Sequence, residues 1–124
     1  MTLTDPTTVL RATADFVAVC DLDRLTPDRG VAALVDGVAV AVFLLGGDEL
    51  VAVDNVDPIT GASVLSRGLV GEVDGSPTVA SPLYKQRFDL RTGACLDDPT
   101  VAIGVHDVRV VEGRVEVRIT TGST

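Results

Sequence analysis

Three dipeptides, Asp36-Gly37, Asp74-Gly75 and Glu112-Gly113, each separate two short runs rich in valine. Aspartate followed by glycine suits a tight turn with positive φ, the connection that joins antiparallel strands with their natural twist. Residues 31–35 and 38–45 flank the first dipeptide, which is the strongest hairpin signal of the chain. Residues 69–73 and 78–80 flank the second, and 105–111 and 114–119 the third. In the last run Val115, Val117 and Ile119 alternate with Arg114, Glu116 and Arg118, the pattern of a half-buried strand. Further strands are expected at 16–20 and 49–54. Residues 21–30 form a turn-rich link with room for one helical turn at most, and no long amphipathic helix or internal repeat is present. The fold class is all-β, an antiparallel β-sandwich or small barrel.

A chain of 124 residues supports one core. That core must be aliphatic, because aromatic residues make up 3% of the chain and tryptophan is absent. Residues 15–120 are read as the domain, residues 1–14 as a flexible N-terminal arm and 121–124 as a C-terminal tail. A net charge of −8 argues against nucleic acid and against anionic membranes, both of which require basic clusters. No segment reaches the length of a membrane span, and the N-terminus has neither the basic patch nor the apolar run of a signal peptide. A cytoplasmic protein with reduced thiols is expected.

Two stretches, 54–68 and 81–99, interrupt the strand pattern. Long loops in a small domain are more often functional than idle. The second loop holds the only tyrosine and the only lysine, Tyr84 and Lys85, with Arg87 close behind. Such an aromatic and basic tip suits a protein contact; the alternative is a solvated loop anchored by Phe88. Little else offers chemistry. His106 is the single histidine, and Cys20 and Cys95 belong to no closely spaced pair, so a zinc or iron–sulfur site has no ligand set. Ser81, His106 and an aspartate can be drawn as a triad, but no nucleophile elbow surrounds the serine. Asp54 and Asp57 could act as paired carboxylates or hard-cation ligands, although loop aspartates more commonly bond their own backbone.

The two loops carry a resemblance. Asn55-Val56-Asp57-Pro58-Ile59 and Ser81-Pro82-Leu83-Tyr84-Lys85-Gln86-Arg87-Phe88-Asp89-Leu90, followed by Thr92-Gly93, resemble the two cluster-binding boxes of Rieske [2Fe–2S] domains. Those boxes read Cys-x-His and Cys-Pro-x-His-Gly-Trp-x-Phe-Asp. The four ligand positions, two cysteines and two histidines, fall here on Asp57, Ile59, Ser81 and Tyr84. The resemblance thus implies a Rieske-like fold in which two long loops stand in place of the cluster-binding loops and no [2Fe–2S] ligand remains.

Gly61-Ala62-x-Val64-Leu65-Ser66-Arg67-Gly68 and Thr92-Gly93-x-Cys95-Leu96-Asp97-Asp98-Pro99 extend the likeness. Over residues 16 to 119 the chain resembles the small subunit of assimilatory NAD(P)H-dependent nitrite reductase. That resemblance implies a chain that binds no cofactor of its own. Its partner would be a large subunit with FAD, an Fe–S cluster and siroheme, which reduces nitrite to ammonia. It places the expected contact set at Asp57, Arg67, Tyr84, Lys85 and Arg87, with Asp57 also a candidate to pair with Lys85 or Arg87. The alternative is a stand-alone binding or regulatory module on the same scaffold.

Overall fold

In the computed structural model, residues 15–120 are described; the arm 1–14 and the tail 121–124 lie outside them. All three acidic-Gly dipeptides form turns with both residues at positive φ, from 49° at Asp36 to 85° at Gly75. Their backbone twist matches that of the strands they join. The hairpins are β2 (Gly30–Val35) with β3 (Val38–Leu45), β5 (Leu69–Val73) with β6 (Ser76–Ala80), and β8 (Val105–Val111) with β9 (Arg114–Arg118). The remaining strands are β1 (Val17–Asp21), β4 (Glu49–Asp54) and β7 (Arg87–Asp89). The one helical turn allowed in the 21–30 link is a 3-10 turn at Leu22–Arg24.

Two antiparallel sheets result. Six strands run in the order β1-β9-β8-β4-β3-β2, and three in the order β5-β6-β7. The larger sheet curls so that its edge strands β1 and β2 meet, a nearly closed barrel. Strand β3 reads Val-Ala-Val-Ala-Val-Phe-Leu-Leu and faces a core on each side, which is why it is apolar throughout. Val40 and Val42 pack inside the barrel with Val35, Ala52, Val115 and Val117. Ala41, Phe43 and Leu45 face the other way, against Leu65, Val79, Phe88 and Leu90.

The smaller sheet and both long loops belong to one insertion between β4 and β8, seated on the outer face of β3 and β4. Residues 81–99 are less irregular than their sequence suggests. Phe88 is fully buried and pairs with Val79, and bridges at Phe88–Cys95 and Ala94–Ala102 extend the sheet. A strand of three residues is too short to show alternation, so its pattern is hidden. Among the described residues no helix is long and apolar enough to cross a membrane.

Gly93 ties the end of this insertion to the root of β8. Its φ is +81°, its N–H donates to the Asp89 carbonyl, and Ile103 N–H donates to its own carbonyl. A Cβ there would stand 2.0 Å from the Ile103 carbonyl oxygen. Gly37, also at +81°, has nothing within 4 Å of the same position. Alanine at Gly37 should therefore cost only the backbone strain, about 1 kcal/mol, and alanine at Gly93 about 3 kcal/mol or more, because backbone must move as well. Urea denaturation of the two variants checks the ranking; equal losses would contradict it.

Candidate functional site

The first loop leaves β4 at Asp54 and is organised by Asn55 and Asp57. Asn55, buried, accepts Val64 and Leu65 N–H groups on its carbonyl and Ser66 N–H on its side-chain oxygen at 2.7 Å. Asp57 donates its N–H to the Ala62 carbonyl, and its own carbonyl accepts Gly61 N–H at 2.7 Å. Its side-chain Oδ1 accepts Ile59 N–H at 2.8 Å, closing an Asx turn. The loop aspartate thus does bond its own backbone.

The same carboxylate reaches across to the second loop. Ser81 Oγ donates to Asp57 Oδ2 at 2.6 Å, and Gln86 Nε2 donates to both carboxylate oxygens at 3.1 and 3.2 Å. Leu83 N–H approaches Ser81 Oγ at 3.3 Å, while Ser81 N–H donates to the Gln86 carbonyl and Lys85 N–H to the Ser81 carbonyl. Asp57, Ser81 and Gln86 are all buried, Asp57 completely. The Gln86 side-chain Oε1 is buried without a partner among the described residues. Turning the amide over would set that oxygen against the carboxylate, so the orientation is forced.

This geometry sorts the residues singled out from the sequence. Asp57 and Ser81, the two vacated cysteine positions, are joined by a direct hydrogen bond. Ile59 and Tyr84, the two vacated histidine positions, point outward at 47% and 71% exposure. Asp57 pairs with neither Lys85 nor Arg87, contrary to the sequence expectation. Both are exposed, whereas Asp57 lies sealed beneath the loops where Ser81 and Gln86 satisfy it. Nor does Asp57 present anything to a partner. Arg87 is engaged by Asp97, which accepts Arg87 Nη2 at 3.0 Å and Arg87 N–H at 2.7 Å; those bonds hold the Asp97 carboxyl below its usual range. Arg67 and Lys85 are exposed and form no ion pair among the described residues. Lys85 has φ +66°, an uncommon conformation for a side-chain-bearing residue and one found at contact sites.

These residues cannot hold a [2Fe–2S] cluster. A serine, an isoleucine, a tyrosine and an aspartate already saturated with hydrogen bonds supply neither thiolate nor imidazole. Among the described residues no three His, Cys, Asp or Glu side chains gather as a metal centre would require. Cys95 is buried behind Phe88, and Cys20 lies on β1. The triad drawn from Ser81 and His106 does not form, because each has a different aspartate. His106 Nε2 bonds Asp54 Oδ1 at 2.7 Å, and its Nδ1 accepts Thr120 N–H at 3.3 Å, so the Nε2 tautomer is the donor.

Asp54 also accepts Gly104 N–H at 2.8 Å, pinning the root of the first loop to the start of β8. Gln86, Asn55 and Asp97 were not singled out as site-forming groups; Asp54 was, as one of a carboxylate pair with Asp57, and it bonds His106 and Gly104 instead.

Two outcomes follow from the geometry. In a double-mutant cycle, Asp57→Ala should cost about 2–4 kcal/mol, since it strands buried donors. Added to Ser81→Ala it should show a coupling of about 1–2 kcal/mol in urea denaturation; additivity would contradict the bond. The His106 hydrogen bond holds the Asp54 carboxyl below its ordinary value, with Gly104 N–H assisting. A lowered carboxyl pKa contributes stability above the unfolded value, near 3.9, and loses it as pH falls through the folded one. Asp54→Asn should therefore be less stable than wild type at pH 6, and the gap should shrink as pH drops below about 4. Unfolding midpoints across that range provide the check.

Comparison with known proteins meets this geometry. The Rieske-like [2Fe-2S] domain family matches residues 15–118. The nitrite reductase (NADH) small subunit of Salmonella typhimurium is 45% identical over 101 residues, 81% of this chain and 94% of that one. The NMR structure of the Escherichia coli protein NirD is 38% identical with a TM-score of 0.80, covering 87% of this chain and 99% of that one. The nitrite reductase [NAD(P)H] large subunit of Klebsiella oxytoca is 43% identical over 100 residues, which are 81% of this chain but 10% of that one. The chain belongs to the Rieske-like domain family and, within it, to the small subunits of NADH-dependent nitrite reductase.

Proposed function

We propose that this chain acts in the cytoplasm as the cofactor-free small subunit of an assimilatory nitrite reductase. It associates with a large subunit whose FAD, Fe–S cluster and siroheme carry electrons from NAD(P)H to nitrite. One observation carries the reading: in Klebsiella oxytoca a stretch like this domain lies within a large-subunit polypeptide. A domain found both as a separate chain and inside its partner is one that works beside that partner. The hydrogen-bonded lock at the vacated ligand positions supports a role in binding rather than in electron carriage, since Asp57, Ser81, Ile59 and Tyr84 offer an electron no centre.

The experiment is a pull-down joined to an activity assay. The purified chain should be colourless and free of iron, and should capture the large subunit from the same source. NAD(P)H-dependent nitrite reduction should fall when the chain is withheld and return when it is added back. Visible absorbance with bound iron would overturn the cofactor-free reading. Undiminished activity without the chain, together with no capture, would overturn the subunit reading and favour a stand-alone module.

A further inference from the structure

Val56, Ile59, Leu83, Tyr84 and Leu96 stand exposed on the two loops, between 36% and 71%, while Leu34 and Leu69, 73% and 78% exposed, stand on β2 and β5. Ile59 and Leu83 are neighbours through one continuous chain of bonds, from Ile59 N–H to Asp57, to Ser81 Oγ, to Leu83 N–H. The lock beneath is buried and hydrogen-bonded internally, with exposed apolar side chains above it. At the opposite pole, beside the Glu112-Gly113 turn, Val110 and Val111 are each 41% exposed.

Charge singles out the same pole. Residues 58–71 and 75–88 contain no aspartate or glutamate; of their three cations Arg87 is paired with Asp97, while Arg67 and Lys85 form no ion pair among the described residues, in a chain of net charge −8. An apolar centre with a cationic margin fits an apolar patch rimmed by carboxylates. The chain ends add a third, independent observation. Val17 pairs with Val117 through β1 and β9. Thr120 Oγ1 donates to the Val105 carbonyl, beside the His106–Asp54 bond at the root of the first loop. Both ends of the described chain therefore emerge at the loop pole.

We infer that the loop cap formed by Val56, Ile59, Leu83 and Tyr84, with Lys85 at its margin, is the docking surface for the large subunit, and that it seats on an apolar patch bordered by acidic side chains. The inference rests on the subunit reading above. Of the expected contact set Asp57, Arg67, Tyr84, Lys85 and Arg87 it keeps Tyr84 and Lys85, and adds the exposed apolar side chains of Val56, Ile59 and Leu83. Burying such anchors at the centre of an interface dominates its affinity, and marginal charges mainly speed encounter.

The test measures affinity of the intact chain for the purified large subunit. Ile59→Glu and Tyr84→Glu should each weaken binding at least about thirtyfold without shifting the thermal unfolding midpoint. Lys85→Glu should weaken it several-fold, by less at high salt, and Val110→Glu should bind as wild type. A photo-cross-linking residue at position 84 supplies a readout that does not depend on a charged variant folding, and should attach to the large subunit. Wild-type binding with undiminished Ile59→Glu and Tyr84→Glu binding, or cross-links only between copies of this chain, would overturn the surface and leave the subunit reading standing. No binding by the wild-type chain would overturn both.

Discussion

The Asp57 carboxylate, which accepts Ser81 Oγ at 2.6 Å and Gln86 Nε2 at 3.1 and 3.2 Å, holds the two long loops together. It joins two loops separated by the β5–β6 hairpin, at the two positions where Rieske proteins place the cysteines of one iron. A cluster would tie the loops by covalent ligation. Here a carboxylate, a hydroxyl and the Gln86 amide do the same structural work with ordinary polar groups. A buried carboxylate needs such compensation, because burying it without partners costs several kcal/mol. The donors come from Ile59, Ser81 and Gln86, so the loops must stay folded for the carboxylate to be satisfied, and the carboxylate must be present for the loops to stay folded.

The consequences run outward from that carboxylate. With the inner positions engaged by one another, the outer positions need not point inward, and Ile59 and Tyr84 are free to face solvent. The same backbone that would present ligating histidines presents an apolar, cationic cap. Beneath it, Phe88 and Val79 seat the smaller sheet on β3 and β4, and Asp54 with His106 clamps the first loop to the start of β8. The six-stranded sheet is thus the platform, the insertion carries the surface, and the lock sets its shape. Function on this account lies in the shape and polarity of the cap.

Much of this was legible in the sequence, for reasons that are local. The three hairpins follow from acidic-Gly pairs whose backbone demand is met within two residues. The two-sided burial of β3 shows as eight consecutive apolar residues. The first long loop was legible from its broken strand pattern, whereas residues 81–99 hide the strand Arg87–Asp89. The pairings inside the loops were not legible. Asp57 meets Gln86 across 29 positions and Arg87 meets Asp97 across 10, and no periodicity marks either. Charge attraction suggested Lys85 or Arg87 for Asp57, but burial decided otherwise: a sealed carboxylate takes short polar donors that can be buried with it, while long cations stay in water. The apolar cap was missed for a related reason. An exposed isoleucine or leucine looks like a core residue until its surroundings are known.

An electron-microscopy structure of the small subunit bound to its large subunit tests the central claim most directly. The account predicts Ile59, Leu83 and Tyr84 buried against the large subunit, with the Asp57–Ser81 bond intact behind them and no metal between the loops. A complex in which the loop cap faces solvent and the Glu112-Gly113 pole makes the contact would contradict it.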